Sequence, residues 1–159
     1  MAIGNSFQKY APMSGLRRGD RLIQPLEAHL GYHLRRAAAA MQADLAPRVG
    51  EHGVTIVEMS ALFVIQANPK ITQSEIGRML AIKSANMAPL TAGLVARALV
   101  KREVVDGRSV GLCATSKGEA LCAALHQCVA ANEQRLLARV PESERRRLLE
   151  LVRLTWSPG

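Results

Sequence analysis

A mainly α-helical fold with one small β-hairpin is what this sequence predicts, on three observations. Apolar residues recur at spacings of three and four along most of the chain, the period of an amphipathic helix. Threonine or serine followed three residues later by glutamate occurs at Thr55-Glu58, Thr72-Glu75 and Ser116-Glu119, the pattern of a reciprocal helix cap. One stretch breaks the helical period: LVKREVV, rich in β-branched residues, runs into Asp106-Gly107, a hairpin-turn pair.

The elements follow in order. Residues 1–20 mix glycine, serine, proline and charge without periodicity and read as a flexible tail. From about Leu22 to Leu45, Leu26, Leu30, Leu34, Ala37, Met41 and Leu45 mark a single long helix, which Pro47 and the stretch Gly50 to Gly53 are expected to stop. TIVE opens a helix to about Ala67, ended by Asn68-Pro69. TQSE opens the next, with Ile76, Met79 and Leu80 facing inward and Gly77 small where two helices must cross. After Ala81-Ile82-Lys83 another helix buries Met87, Leu90 and Leu94. Two short helices joined by so tight a turn make a helix-turn-helix, and the hairpin that follows, returning through Ser109 to Ala114, is its wing. A helix opened by Ser116 and Glu119 then runs to about Arg139, and after Pro141 a final helix reaches Trp156.

The 159 residues, 48% of them apolar, suit one domain with helical extensions. Lysine and arginine total 21 against 13 acids, a net charge of +8, so an anionic partner is expected, double-stranded nucleic acid first. Aromatic content of 3% argues against a base-stacking platform for single strands. The chain has no apolar run of membrane-spanning length, and its first residues lack a secretory core, so a cytoplasmic location without membrane contact is expected. Cys113, Cys122 and Cys128 are odd in number and unpatterned, which reads as buried, inert thiols. His29 with His33, and Cys122 with His126, share helix faces, but such pairs arise easily by chance, and no metal or other cofactor is expected. No grouping of nucleophile, base and oxyanion donors stands out, so no enzyme is expected.

The start of the second helix of the helix-turn-helix presents small and polar groups where a major groove would be read. Asn86 suits a bidentate bond to adenine, and Ala85, Ala88 and Pro89 suit contact with a thymine methyl. Ser84 is placed to cap the helix or hold a phosphate. Pro89 cannot donate to the carbonyl of Ala85, so local distortion is expected there. Arg78, Lys83, Lys101, Arg102 and Arg108 supply charge for phosphates, with Arg108 at the hairpin tip. Arg145, Arg146 and Arg147 are expected to pair with Glu142, Glu144 and Glu150 instead.

The run from Leu26 to Trp156 resembles the MarR family of winged-helix bacterial regulators. The resemblance is carried by LGYHLRR, ITQSEIGRML, LVKREVVDGRSVGL and ATSKG, and it covers about four fifths of the chain. It implies a homodimer, with residues 21–50 and 116–159 as the helical dimerisation region and 54–115 as the winged DNA-binding domain on a palindromic operator. It also implies that Asp106 holds the wing while Arg108 enters the minor groove, and that a small ligand lowers DNA affinity. The implied ligand pocket takes His29, Tyr32, His33, Met59, Phe63 and His126. The wording of IKSANMAPL and DGRS looks like members that govern aromatic-acid catabolism, some sensing hydroxycinnamoyl coenzyme A thioesters, for which Arg35 and Arg36 would receive the anionic part. Two departures stand out: Pro89 and Gly93 lie where many members have a groove-facing arginine, and Ala98 replaces the usual glycine before the first wing strand. The expected function is a ligand-released repressor of an aromatic-compound catabolism or efflux operon. The alternative is a winged-helix module that docks an acidic protein partner.

Overall fold

In the computed structural model the described residues, 24–106 and 109–156, form seven helices and a two-stranded antiparallel hairpin. The expected tail at 1–20, Leu22, Gly107 and Arg108 lie outside the described residues. The chain divides into two compact units, 1–40 and 41–159.

The expected single first helix is two. A four-residue α1, Gln24–Glu27, is followed by α2, Leu30–Glu51. His29 lies at the break: its carbonyl accepts from Tyr32 N–H at 3.0 Å, as a cap does, while His33 Nε2–H donates to the carbonyl of Glu27 at 2.8 Å. These bonds satisfy backbone groups that helix ends leave open, which makes the break cheap. The expected stop at Pro47 is also corrected, because α2 continues through it to Glu51. Pro47 costs one bond to the carbonyl of Ala43, but Leu45 and Val49, 5% and 0% exposed, are anchored in the core on either side of it. Gly53, at φ 74°, makes the turn beyond.

Two caps form as the sequence predicts. Thr55 and Glu58 open α3, Ile56–Ala67, and Thr72 and Glu75 open α4, Gln73–Met79, both as complete capping boxes. Next come α5, Ser84–Ala96, the strands β1, Val100–Asp106, and β2, Ser109–Ala114, then α6, Ser116–Leu136, and α7, Glu142–Leu154. The third cap differs from expectation: Thr115, not Ser116, is the cap of α6, and its hydroxyl accepts from Gly118 N–H at 3.1 Å. Glu119 therefore sits one position too far along to close a box. Gly118 has its own reason to be glycine, since a Cβ there would strike the carbonyl of Leu99.

The core of the second unit gathers Val49, Leu62, Ile65, Ile76, Leu94, Leu112 and Leu125, none more than 1% exposed, so that α3 is covered by α6 on one side and by α4, α5 and the hairpin on others. Ile71 makes an isolated antiparallel bridge to Leu112, on the edge of β2 away from β1. Gly111 permits this approach, because a Cβ there would run into the backbone of Lys70. Among the described residues no single helix is long and apolar enough to cross a membrane.

Candidate nucleic-acid interface

The chain turns by 114° between α4 and α5, within the usual range of a helix-turn-helix. Gly77 makes the crossing possible as expected: a Cβ there would lie 3.1 Å from the carbonyl oxygen of Ile82 and 3.3 Å from Met87 Cγ. Ile76 and Met87 are buried beneath it and Leu80 is half-buried. Met79, expected inside, is 59% exposed. It falls one position past the inward stripe of a helix only seven residues long.

Both helices of this pair end in the same way. Beyond α4, Ala81 N–H donates to the carbonyl of Arg78 and Ile82 N–H to that of Gly77. Beyond α5, Ala98 N–H donates to Val95 and Leu99 N–H to Leu94. This is the double bond pattern of a Schellman motif, and it puts Ala81 at φ 52° and Ala98 at φ 55°. The glycine expected before the first wing strand is thus replaced by an alanine that adopts the glycine conformation.

Lys83, Ser84, Ala85, Asn86, Ala88 and Pro89 are all exposed along the first half of α5. Ser84 does not cap the helix. Lys83 occupies the cap position with no side-chain bond, and Ser84 is the first helical residue. Pro89 stands inside α5, which continues past it to Ala96. On one side of this face a hollow is lined by Arg78, Lys83 and Ser84 together with Gln73, Ser74 and Met87. On the other side a groove between α4, Ala88 and the hairpin is lined by Thr72, Gln73, Ser74, Arg102, Val110 and Leu112. The structure therefore gathers Arg78, Lys83, Ser84, Ala88 and Arg102 around the exposed start of α5.

The cations of this face are not equivalent. Lys101 Nζ lies 2.8 Å from Glu103, whose carboxylate also faces Lys70 at 3.9 Å. The Lys101 ammonium holds the Glu103 carboxyl below its ordinary value, and Glu103 raises the lysine in turn. Lys101 is thus partly neutralised on the strand side opposite Arg102. None of the described acidic side chains pairs with Arg78, Lys83 or Arg102. Asp106 pairs with Ser109 across the hairpin after a bulge at Val104 and Asp106, and Arg108 lies outside the described residues. Arg145 pairs with Glu142, and Arg146 and Arg147 with Glu150, as the sequence predicts, whereas Glu144, also expected as a partner, is in none of these pairs.

Sequence reasoning missed Arg97. Its guanidinium donates to Glu58 Oε1 and to the carbonyl of Gly53, each at 2.5 Å, and its own carbonyl accepts from Lys117 Nζ at 3.0 Å. One carboxylate thereby caps α3 and anchors the end of α5. Gln73 and Ser74, which line both grooves, were also missed, because TQSE explains itself as a cap.

The expected ligand-pocket residues divide between the units. In the first, Tyr32 is flanked by the guanidinium groups of Arg35 and Arg36, 6.0 and 5.9 Å from its ring centre, with His33 edge-on at 5.4 Å; His29 is exposed. In the second, Phe63 and His126 stack with centroids 3.9 Å apart and planes 4° from parallel, and Met59 is buried in the core. Cys113 and Cys122 are buried as expected, and burial pushes the Cys122 thiol up. Cys128 is not buried but half-exposed, with its sulfur 3.4 Å from His52 Nε2. No group of three metal-ligating side chains occurs among the described residues.

Residues 52–109 match the model of the MarR family. The HTH-type transcriptional repressor Rv2887 of Mycobacterium tuberculosis is 29% identical over 131 residues, spanning 79% of this chain and 92% of that protein. Its crystal structure in complex with salicylic acid is similar with a TM-score of 0.66 at 25% identity, over 77% of this chain and 93% of that one. The transcriptional repressor CouR bound to a 23-mer DNA duplex is 32% identical with a TM-score of 0.73, over 87% of this chain and 96% of that one. CouR from Rhodococcus jostii RHA1 bound to p-coumaroyl-CoA shares the fold, with a TM-score of 0.75 at 19% identity over 84% and 96% of the two chains.

Proposed function

This chain belongs to the MarR family of DNA-binding transcriptional regulators, and from that premise we propose that it is a homodimeric repressor, released from a palindromic operator by a small aromatic effector. The observation that carries the reading is the exposed, cationic start of α5 between two grooves, where Asn86 stands among small residues and Arg78, Lys83 and Arg102 surround it. In this reading Asn86 reads a base, Ala85, Ala88 and Pro89 meet methyl groups, and Ser84 and the three cations hold phosphates. Lys101 contributes less, because Glu103 shares its charge. Asp106 and Arg108 keep the wing roles that membership of the family suggests.

Residues 54–115 serve as the DNA-binding domain and 21–50 with 116–159 as the dimerisation region. What supports the latter is that α7 buries none of its residues in the single chain, while Leu148, Leu149, Leu151, Leu154 and, just beyond it, Trp156 stand exposed. The effector is an aromatic acid or its coenzyme A thioester, and the regulated operon concerns aromatic-compound catabolism or efflux. Salicylic acid on one relative and p-coumaroyl-CoA on another support that class. Within this chain the Phe63–His126 stack and the Tyr32, Arg35 and Arg36 cluster are the groups suited to a flat anion. A tenfold loss of DNA affinity asks of the effector only about 1.4 kcal/mol of preference for the released conformation.

The test is binding to a duplex selected by the protein from a random pool, against a scrambled duplex, across a salt series. Expected are tight binding that depends on the palindrome, a steep salt slope, and release by salicylate or a hydroxycinnamoyl coenzyme A thioester. Asn86→Ala should cost about 1–3 kcal/mol at one operator position only. Arg102→Ala should weaken every sequence and lower the salt slope by about one. Salt-insensitive binding without sequence preference would overturn the reading and leave an acidic protein as the partner.

A further inference from the structure

Thr91 is a polar residue at the centre of the helix-turn-helix crossing and is 0% exposed. Its hydroxyl is fully used: Gln73 Nε2 donates to Oγ1 at 2.6 Å, and Oγ1 donates onward to the carbonyl of Met87 at 3.0 Å. A buried hydroxyl with both roles filled is satisfied, but an apolar residue of the same shape would fill the space equally well. The reason for the hydroxyl therefore lies in direction rather than burial.

The rest of the crossing lacks direction. Gly77 faces Met87, a flexible side chain against a missing one, and such apolar contact tolerates sliding. The leading end of α5 is weakly held as well. Lys83 makes no side-chain cap bond, and Pro89 has no N–H to give the carbonyl of Ala85. The far end of α5 is anchored by Arg97 on Glu58 and Gly53, and a small tilt of the leading half about that anchor would leave the apolar contact much as it is and break the 2.6 Å bond. Gln73 is itself half-buried at the first position of α4 and lines both grooves that flank the exposed face.

We infer that Gln73 is a positioning residue: through its bond to the buried Thr91 it fixes the setting of the leading half of α5, and so determines how well Asn86 and its neighbours discriminate between DNA sequences. The inference rests on the DNA-reading function proposed above. It assigns Gln73 no base contact. Its effect is on specificity, because phosphate contacts made by flexible arginine and lysine side chains survive a small shift that base-edge contacts do not.

The experiment compares the wild-type chain with Gln73→Leu, Thr91→Val, Thr91→Ser and the Gln73→Leu/Thr91→Val pair, on the selected operator duplex and a scrambled duplex of equal length. Gln73→Leu and Thr91→Val should each weaken operator binding about five- to tenfold, as loss of one hydrogen bond would. Scrambled-DNA affinity and the salt slope should stay unchanged. Thr91→Ser, which keeps the oxygen, should restore discrimination, and the double variant should be no worse than the worse single one. Equal losses on both duplexes, or no loss on either, would overturn the inference. Amide hydrogen exchange over residues 88–92 provides a readout free of DNA: it should quicken in Gln73→Leu by more than the small fall in unfolding midpoint from one lost hydrogen bond accounts for, and unchanged exchange would also overturn it. If the wild-type chain prefers no sequence, the DNA-reading proposal fails, and the exchange result alone then decides whether Gln73 pins α5.

Discussion

Ala81 and Ala98 occupy backbone that L side chains resist, at φ 52° and 55°, and each closes a helix of the DNA-reading pair. Glycine would adopt this conformation without the Cβ clash, so Ala81→Gly and Ala98→Gly should each stabilise the chain by about 1 kcal/mol, read as a higher midpoint in denaturant unfolding. A valine at either position should lower the midpoint. At Asp44 the side chain of Arg135, 2.8 Å away, together with Asn132 and Arg48, holds the carboxyl below the usual carboxylate range. A carboxyl depressed by folding contributes stability that is present above its unfolded value and lost as pH falls through the folded one. Thermal melting between pH 7 and pH 2 should therefore show an acid limb that Asp44→Asn makes shallower, while leaving Arg135 without its charged partner. The limb should be modest, because both side chains are more than a third exposed. An unchanged limb in the variant would assign the acid sensitivity to Glu75 and Glu103, whose carboxyls are also held low, by the Thr72 backbone and by Lys101.

At the scale of elements, the tightest seam lies between the end of α5 and the start of α6. Gly118 abuts the carbonyl of Leu99, and Thr115 donates to the carbonyl of Ala98 at 2.7 Å while capping α6. Gly118→Ala should cost about 1–3 kcal/mol or more by overpacking against rigid backbone, visible as a fall in unfolding midpoint, whereas Gly31→Ala, with open space around it, should not. This seam also shows what the sequence made legible. Thr55, Thr72 and Gly77 could be read because each acts through neighbours no more than ten residues away. Thr115 and Gly118 lie within ATSKG, where the spacing of Ser116 and Glu119 imitates a cap, and the carbonyl that excludes a side chain at 118 belongs to Leu99, distant in sequence. The same holds for Gln73 with Thr91 and for Arg97 with Glu58, 18 and 39 residues apart. Pro47 misled for the converse reason: local chemistry stops a helix there, and the buried Leu45 and Val49 carry it on.

At the scale of the molecule, α7 is an element whose apolar side is left over in one chain. Leu149, Leu151, Leu154 and Trp156 are 54%, 45%, 77% and 71% exposed, and Arg145, Arg146 and Arg147, which precede them, are already paired with glutamates on the same helix. Internal pairing reduces the charge that would otherwise oppose a second copy, and the apolar area then favours association. Leu151→Asp/Leu154→Asp should accordingly shift sedimentation from dimer to monomer without lowering the midpoint of the winged domain, which draws its core from Leu62, Ile65, Ile76, Leu94 and Leu112. Two linked reading heads bind a palindrome far more tightly than one, because the second engages at the effective concentration set by the first. The same variant should therefore lose most of its preference for a full palindrome over a half-site while keeping the base preference proposed for Asn86 within that half-site. Dissociation that left the palindrome preference intact would place the two-fold contact elsewhere in the chain.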